Sequence, residues 1–123
     1  MSTFILLSLP NYNIPLLIKT FLEIGDLLVS AKDFINAALL FWSAVKTSNF
    51  TRNFSLQSIS LQKLAGALAA LVYRKLALNC LFKGLEFAYL HDDHTQELRC
   101  YEQLGRLYFE ANELKMAVFY HRK

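Results

Sequence analysis

The sequence predicts an all-α protein, a stack of about six helices arranged as antiparallel hairpins. Two observations predict it. The first is a recurrence every 40 residues: Phe21, Leu61 and Tyr101; Ile24, Leu64 and Leu104; Gly25, Ala65 and Gly105; Leu28, Leu68 and Tyr108; Ala37, Ala77 and Ala117. Large residues return where large ones stood, and small where small. A fixed period of this length marks one supersecondary unit, copied and stacked. The second is that apolar residues inside each unit fall at helical spacing, with polar breaks between them.

The elements follow in order. Pro15 to Ser30 carries an apolar stripe at Leu17, Phe21, Ile24 and Leu28. Asn13 or Ile14 precedes it, and Pro15 suits a first helical turn. Lys32 and Asp33 break the stripe, which resumes through Phe34, Ala37, Ala38, Phe41, Trp42 and Val45. Two stripes joined by so short a break form an αα-hairpin. Thr47 to Asn53 is polar and aperiodic, an inter-repeat loop. Ser55 or Ser58 is the expected cap of the next helix.

The second hairpin is expected from about Leu56 to Leu90, turning near Tyr73 and Arg74. Val72-Tyr73 is not polar as the other turns are, so one continuous helix is the alternative. His91 to His94 is the next break, and Asp93 followed by Gln96 forms a capping box. The third hairpin runs from about Thr95 to Glu110, turns near residues 111–113 and resumes near Glu113. The last helix is short and apolar, through Val118, Phe119 and Tyr120. The expectation is therefore a fragment of a longer protein, because terminal repeats need polar caps. Residues 1–14 form a lead-in. Residues 15–123 form the repeat domain, with units near 18–57, 58–97 and 98–123, the last incomplete.

Composition bounds the function. The chain has 123 residues, 54% hydrophobic and 19% charged, with a mean hydropathy of +0.27. Soluble domains average about 45–50% apolar and about 25% charged, so this chain can bury a core and still offer apolar surface to a partner. The longest apolar runs, Phe34 to Val45 and Leu64 to Val72, fall short of the roughly 20 residues a membrane span needs. Met1 to Leu9 lacks the basic start of a signal peptide. The net charge is +3, without a basic run, so nothing asks for nucleic acid. Cys80 and Cys100 read as free thiols in a reducing compartment. The expected location is the cytoplasm, including the cytoskeleton. Asn49-Phe50-Thr51 and Asn53-Phe54-Ser55 match the glycosylation acceptor pattern and read as chance matches in a loop.

The recurrences resemble the tetratricopeptide repeat. The first unit carries Phe21, Ile24-Gly25, Leu28, Phe34, Ala37, Phe41 and Ala44. The second carries Leu61, Leu64-Ala65, Leu68, Ala77, Leu81 and Gly84; the third carries Tyr101, Leu104-Gly105, Tyr108, Leu114 and Ala117. The resemblance covers residues 18–123 and implies a right-handed solenoid. Gly25, Ala65 and Gly105 would sit where the helices of a hairpin cross closely, with Ala37, Ala77 and Ala117 facing them. The family unit is about 34 residues, against 40 here; longer units are similar to the extended repeats of LGN-like proteins.

The resemblance also implies a concave groove lined by the first helix of each hairpin. Carried over, its residues are Lys19, Leu22, Asp26 and Val29; then Ile59, Gln62, Gly66 and Ala69; then Arg99, Glu102, Arg106 and Phe109. The Lys and Asn clamp of chaperone-tail receptors is missing, with Leu22 and Asp26 in its place. Arg99 and Arg106 lie about two helical turns apart and suit an acidic segment.

Little else points to chemistry. His91, Asp92, Asp93 and His94 are the densest metal-capable cluster, and read as a solvated loop with an N-cap. No GxSxG, HExxH, phosphate-loop or GxGxxG motif occurs. Glu23 with Asp26, and Glu110 with Glu113, read as solvated helix faces. The expectations are no enzyme, no cofactor and no metal, but a scaffold that binds a polypeptide in its groove. The alternative is a structural segment of a long solenoid inside a larger assembly, cytoskeletal or ciliary for example.

Overall fold

The computed structural model describes residues 13–122. Six helices account for nearly all of them: α1 (Ile14–Ser30), α2 (Phe34–Ser48), α3 (Phe54–Ala70), α4 (Arg74–Leu90), α5 (His94–Glu110) and α6 (Leu114–His121). They start at residues 14, 34, 54, 74, 94 and 114, so the 40-residue unit divides into two 20-residue halves. The region from Leu56 to Leu90 is two helices, α3 and α4. The expected lead-in lies outside the described residues, apart from Asn13 and Ile14, which open α1. No helix among the described residues is long and apolar enough to cross a membrane.

The half-period comes from one turn used four times. Lys32, Val72, Asp92 and Asn112 sit at φ values of 60°, 68°, 55° and 64°. After each, an amide reaches back five residues: Asp33 N–H to Leu28 O at 2.8 Å, Tyr73 to Leu68 at 2.9 Å, Asp93 to Ala88 at 2.9 Å, Glu113 to Tyr108 at 2.8 Å. These are Schellman closures, which satisfy the last carbonyls of a helix with one left-handed residue. Asn and Asp tolerate that conformation; β-branched Val72 is strained by it. The second hairpin therefore turns at Leu71 to Tyr73, slightly before the expected 73–74.

Between α2 and α3 the connection is longer, from Asn49 to Asn53. Asn53, not Ser55 or Ser58, caps α3, accepting from Leu56 N–H at 3.1 Å. Ser55 is engaged elsewhere, donating to Asp93 Oδ2 at 2.6 Å, and Ser58 is buried. Asp93 caps α5 by accepting from Gln96 N–H at 3.2 Å. The reciprocal half of the expected capping box is not made, because the Gln96 side chain accepts from Gln62.

Each helix packs on its neighbours in sequence. The first helices also pack on one another, α1 on α3 and α3 on α5. Ile18, Leu22, Phe41, Val45, Leu56, Leu61 and Leu64 bury the junction of the first two hairpins. Ala65, Ala77, Leu81, Leu104 and Leu107 bury the next.

The small recurrent residues mark the crossings within hairpins. A Cβ on Gly25 would lie 2.7 Å from Phe41 Cδ1. On Gly105 it would lie 3.3 Å from His121 Nδ1 and 3.4 Å from Ala117 O. Both contacts join residues 16 apart, and Ala65 and Leu81 stand in the same relation within one buried cluster. Tyr120 of α6 stacks on Tyr108 at 5.6 Å and Tyr101 at 6.3 Å.

Two stability predictions follow from these contacts. Gly25→Leu drives a side chain into a fully buried ring and should cost about 3 kcal/mol. Gly105→Leu meets only the short terminal helix and should cost less; thermal unfolding of both variants checks the order. Val72→Gly removes left-handed strain at an exposed site and should stabilise by about 1 kcal/mol. Urea midpoints measure this, and a midpoint that falls would mean Val72 is unstrained.

Candidate functional site

Where α1, α3 and α5 meet, they leave an open cavity of about 370 Å³. Asp26 and Val29 of α1 form one side; Ile59, Gln62, Lys63 and Gly66 of α3 form the middle; Arg99, Glu102 and Gln103 of α5 form the other side. Phe34 and Phe41 of α2 reach its floor. The walls are helix faces one turn apart, so each helix contributes residues at i, i+3 and i+4.

The walls are tied together. Lys63 Nζ lies 2.8 Å from Asp26 Oδ1 and 3.0 Å from Oδ2, joining α3 to α1. Both partners are partly exposed, so the pair is worth at most about 1 kcal/mol. Between α3 and α5 the tie is a buried amide seam. Gln62 Nε2 donates to Gln96 Oε1 at 2.9 Å and to Ser58 Oγ at 3.0 Å. Gln103 Nε2 donates to the Gln62 carbonyl at 3.2 Å. Gln103 Oε1 is buried beside the cavity with no donor of its own.

The structure brings Asp26, Val29, Gln62, Arg99 and Glu102 of the expected groove to this cavity. Arg106 lines an adjoining hollow with Gly66, Ala69 and Gln103. Lys19 is exposed on α1, outside the lining. Leu22 is 6% exposed and belongs to the core, because direct packing of α3 on α1 consumes it. Gln62 touches the cavity, but its amide is spent on the seam. Phe109 stands at the far end, beside Gly105, Ala117, Val118 and His121. Arg99 and Arg106 form no ion pair among the described residues.

Lys63 and Gln103 are not singled out by sequence, and Gln96 is singled out only as a cap. Their signal is an offset: Asp26 and Lys63 are 37 residues apart, as are Gly66 and Gln103. Asp26 and Lys63 thus meet one turn short of the 40-residue register, whereas Gln62 meets Gln96 at an offset of 34 and Gln103 at an offset of 41.

Elsewhere, His94 Nε2 lies 3.3 Å from Asp92 and Nδ1 lies 3.4 Å from Glu97, while the His91 ring packs edge-on to Phe54. Among the described residues no three His, Cys, Asp or Glu side chains converge on a point that could hold a metal. Burial pushes the Cys100 thiol up to about 11 and raises Cys80 as well. Both thiols are therefore neutral and weakly nucleophilic near neutral pH.

The Ser55 hydroxyl holds the Asp93 carboxyl below the usual range, helped by the Gln96 amide. A depressed carboxyl stabilises the fold above its unfolded pKa, and that contribution is lost as pH falls through the folded value. Ser55→Ala should raise the Asp93 pKa and shrink the loss of stability on acidification. Side-chain carboxyl NMR titration measures the first; an unmoved pKa would contradict the assignment.

Comparisons of this chain with protein-family models, with curated proteins and with solved structures give no match.

Proposed function

We propose that this chain is a protein-interaction module of the tetratricopeptide-repeat kind, binding an extended polypeptide segment across α1, α3 and α5. The observation that carries the reading is the shared cavity of the three first helices. Its chemistry suits a peptide. Val29 and Ile59 offer apolar contact. Arg99, unpaired at the rim, supplies a charge-assisted donor to an acidic side chain or carboxylate. Arg106 supplies the same one turn-pair further on. A right-handed superhelix, the LGN-like form of the 40-residue unit, and a cytoplasmic setting belong to this reading. So does the absence of a catalytic role. A second reading, a structural element of a larger assembly, is favoured by apolar faces left bare at both ends of the stack, among them Leu16 and Leu27 on α1.

Gly66 provides the test. It is exposed mid-helix, and a Cβ built there meets nothing within 4 Å. Gly66→Trp should fill the cavity without disturbing the fold, and Gly66→Ala should stabilise α3 by about 0.5–1 kcal/mol. Peptides selected from a displayed library should bind the parent and Gly66→Ala proteins alike. They should lose about tenfold or more in affinity to Gly66→Trp, and to Arg99→Glu if acidic. Selected peptides that bind Gly66→Trp undiminished would place binding elsewhere.

A further inference from the structure

The two ends of the stack differ from its middle, and the 40-residue register states what each lacks.

At the α1 end, compare equivalent positions. Leu16 is 59% exposed, while its counterparts Leu56 and Gln96 are each 8% exposed beneath the preceding hairpin. Leu27 is 69% exposed, against 2% for Ala67 and 6% for Leu107. Thr20 is exposed where Ser60 and Cys100 are fully buried. This face of α1 has the residues of a buried helix face and no hairpin before it among the described residues.

The α5–α6 end is the reciprocal surface. Gly105, Arg106, Phe109, Ala117, Val118 and His121 line an open cavity of about 560 Å³. Among the matching positions of the second hairpin, Ala65 and Leu81 are buried in one cluster with Leu107 of α5, and Gly66 and Ala69 face Arg106 and Glu110 across a hollow. Those of the first, Gly25 and Phe41 among them, are buried. The third hairpin thus presents the corresponding surface with Arg106, Phe109, Val118 and His121 exposed, and no described residue covers them.

Charge selects the occupant. Inside the chain, Asp26 of α1 meets Lys63 of α3 at 2.8 Å. The next equivalent pair is Gly66 with Gln103, both uncharged. One step further, the register sets Arg106 against position 23 of a following α1, which is Glu23. That pair is opposite in sign and reversed in sense. Both residues are exposed and form no ion pair among the described residues.

We infer that a second copy of this chain docks its α1 face onto the α5–α6 face, head to tail, with Arg106 paired to Glu23 of the neighbour. Such a contact is heterologous: each copy keeps one free face of each kind, so assembly does not stop at two. The register contains one mismatch. Glu102 stands where Leu22 and Gln62 are buried, and would be brought towards Leu16 of the neighbour. Its carboxylate weakens the joint and keeps association reversible. The inference does not rest on the peptide reading, since it uses the ends of the stack and not the α1–α3–α5 cavity.

Sedimentation velocity of the full chain over a wide concentration range tests it. The parent should form a concentration-dependent series extending past the dimer. Arg106→Glu and Glu23→Arg should each weaken association about tenfold, with unchanged circular dichroism. The double variant should recover it. So should an equimolar mixture of the two single variants, because Glu at 106 in one then meets Arg at 23 in the other, and the reverse. Glu102→Leu should tighten association. A parent that stays monomeric throughout would overturn the inference, as would assembly that stops at a symmetric dimer. Association indifferent to both charge reversals would also overturn it. A monomer that begins to associate once residues 1–12 are removed would assign the α1 face to that segment instead.

Discussion

The close crossing of paired helices is the contact on which the rest depends. At Gly25 the α1 backbone comes so near the Phe41 ring that no side chain fits between them. Such an approach sets the angle of the hairpin, and the angle decides which faces of its two helices remain for the next one. The same pair of positions recurs 16 residues apart in all three hairpins. Sequential packing of the hairpins is then a consequence, since small residues at matching positions leave similar faces free for the next hairpin. Gly105 shows the constraint relaxed. Its partner is His121, on a helix with one turn-pair of length, and the space there is 3.3 Å rather than closed.

That constraint also explains which features were legible in the sequence. Side-chain size at a crossing is a property of residue type, so Gly25, Ala65 and Gly105 announce the 40-residue unit directly. The 20-residue half-period is not visible in the same way, because it is written in backbone conformation. Lys32, Val72, Asp92 and Asn112 share a left-handed φ and nothing else. A valine there gives no hint of a turn, which is why one continuous helix was open for 56–90. The cap at Asn53 was overlooked for a related reason: two serines nearby had the right chemistry, and only three-dimensional packing recruits one to Asp93 and buries the other.

The site was legible in part, and the division is physical. Exposed charges such as Asp26, Arg99 and Glu102 line the cavity between the first helices, because nothing in the core wants them. Leu22 and Gln62 occupy the same stripe but fall where one first helix rests on the next. The stripe is wider than the groove, and sequence gives no means of telling its rim from its floor. Lys63 and Gln103 are hidden because their partners, Asp26 and Gln62, lie 37 and 41 residues away, off the 40-residue register.

The two junctions between hairpins differ in kind, and the difference bears on how the molecule yields. The first is closed by Ile18, Leu22, Leu56 and Leu64, side chains that pack without directional demands. The second adds an amide seam through Gln62, Gln96 and Gln103, held by directional hydrogen bonds of 2.9–3.2 Å. Apolar contacts lose energy gradually as two surfaces part, whereas a buried amide that loses its partner costs about 1–3 kcal/mol at once. The seam therefore holds the third hairpin in a single register but tolerates little displacement. With α6 only eight residues long, that hairpin has the least apolar area to compensate. Local opening should accordingly begin at the α5–α6 end and leave the first two hairpins intact, in keeping with the graded stability of repeat stacks. The face that opens most readily is also the one with Phe109 and Val118 exposed. Whatever covers that face stabilises the weakest part of the fold, so binding there and order there are one equilibrium.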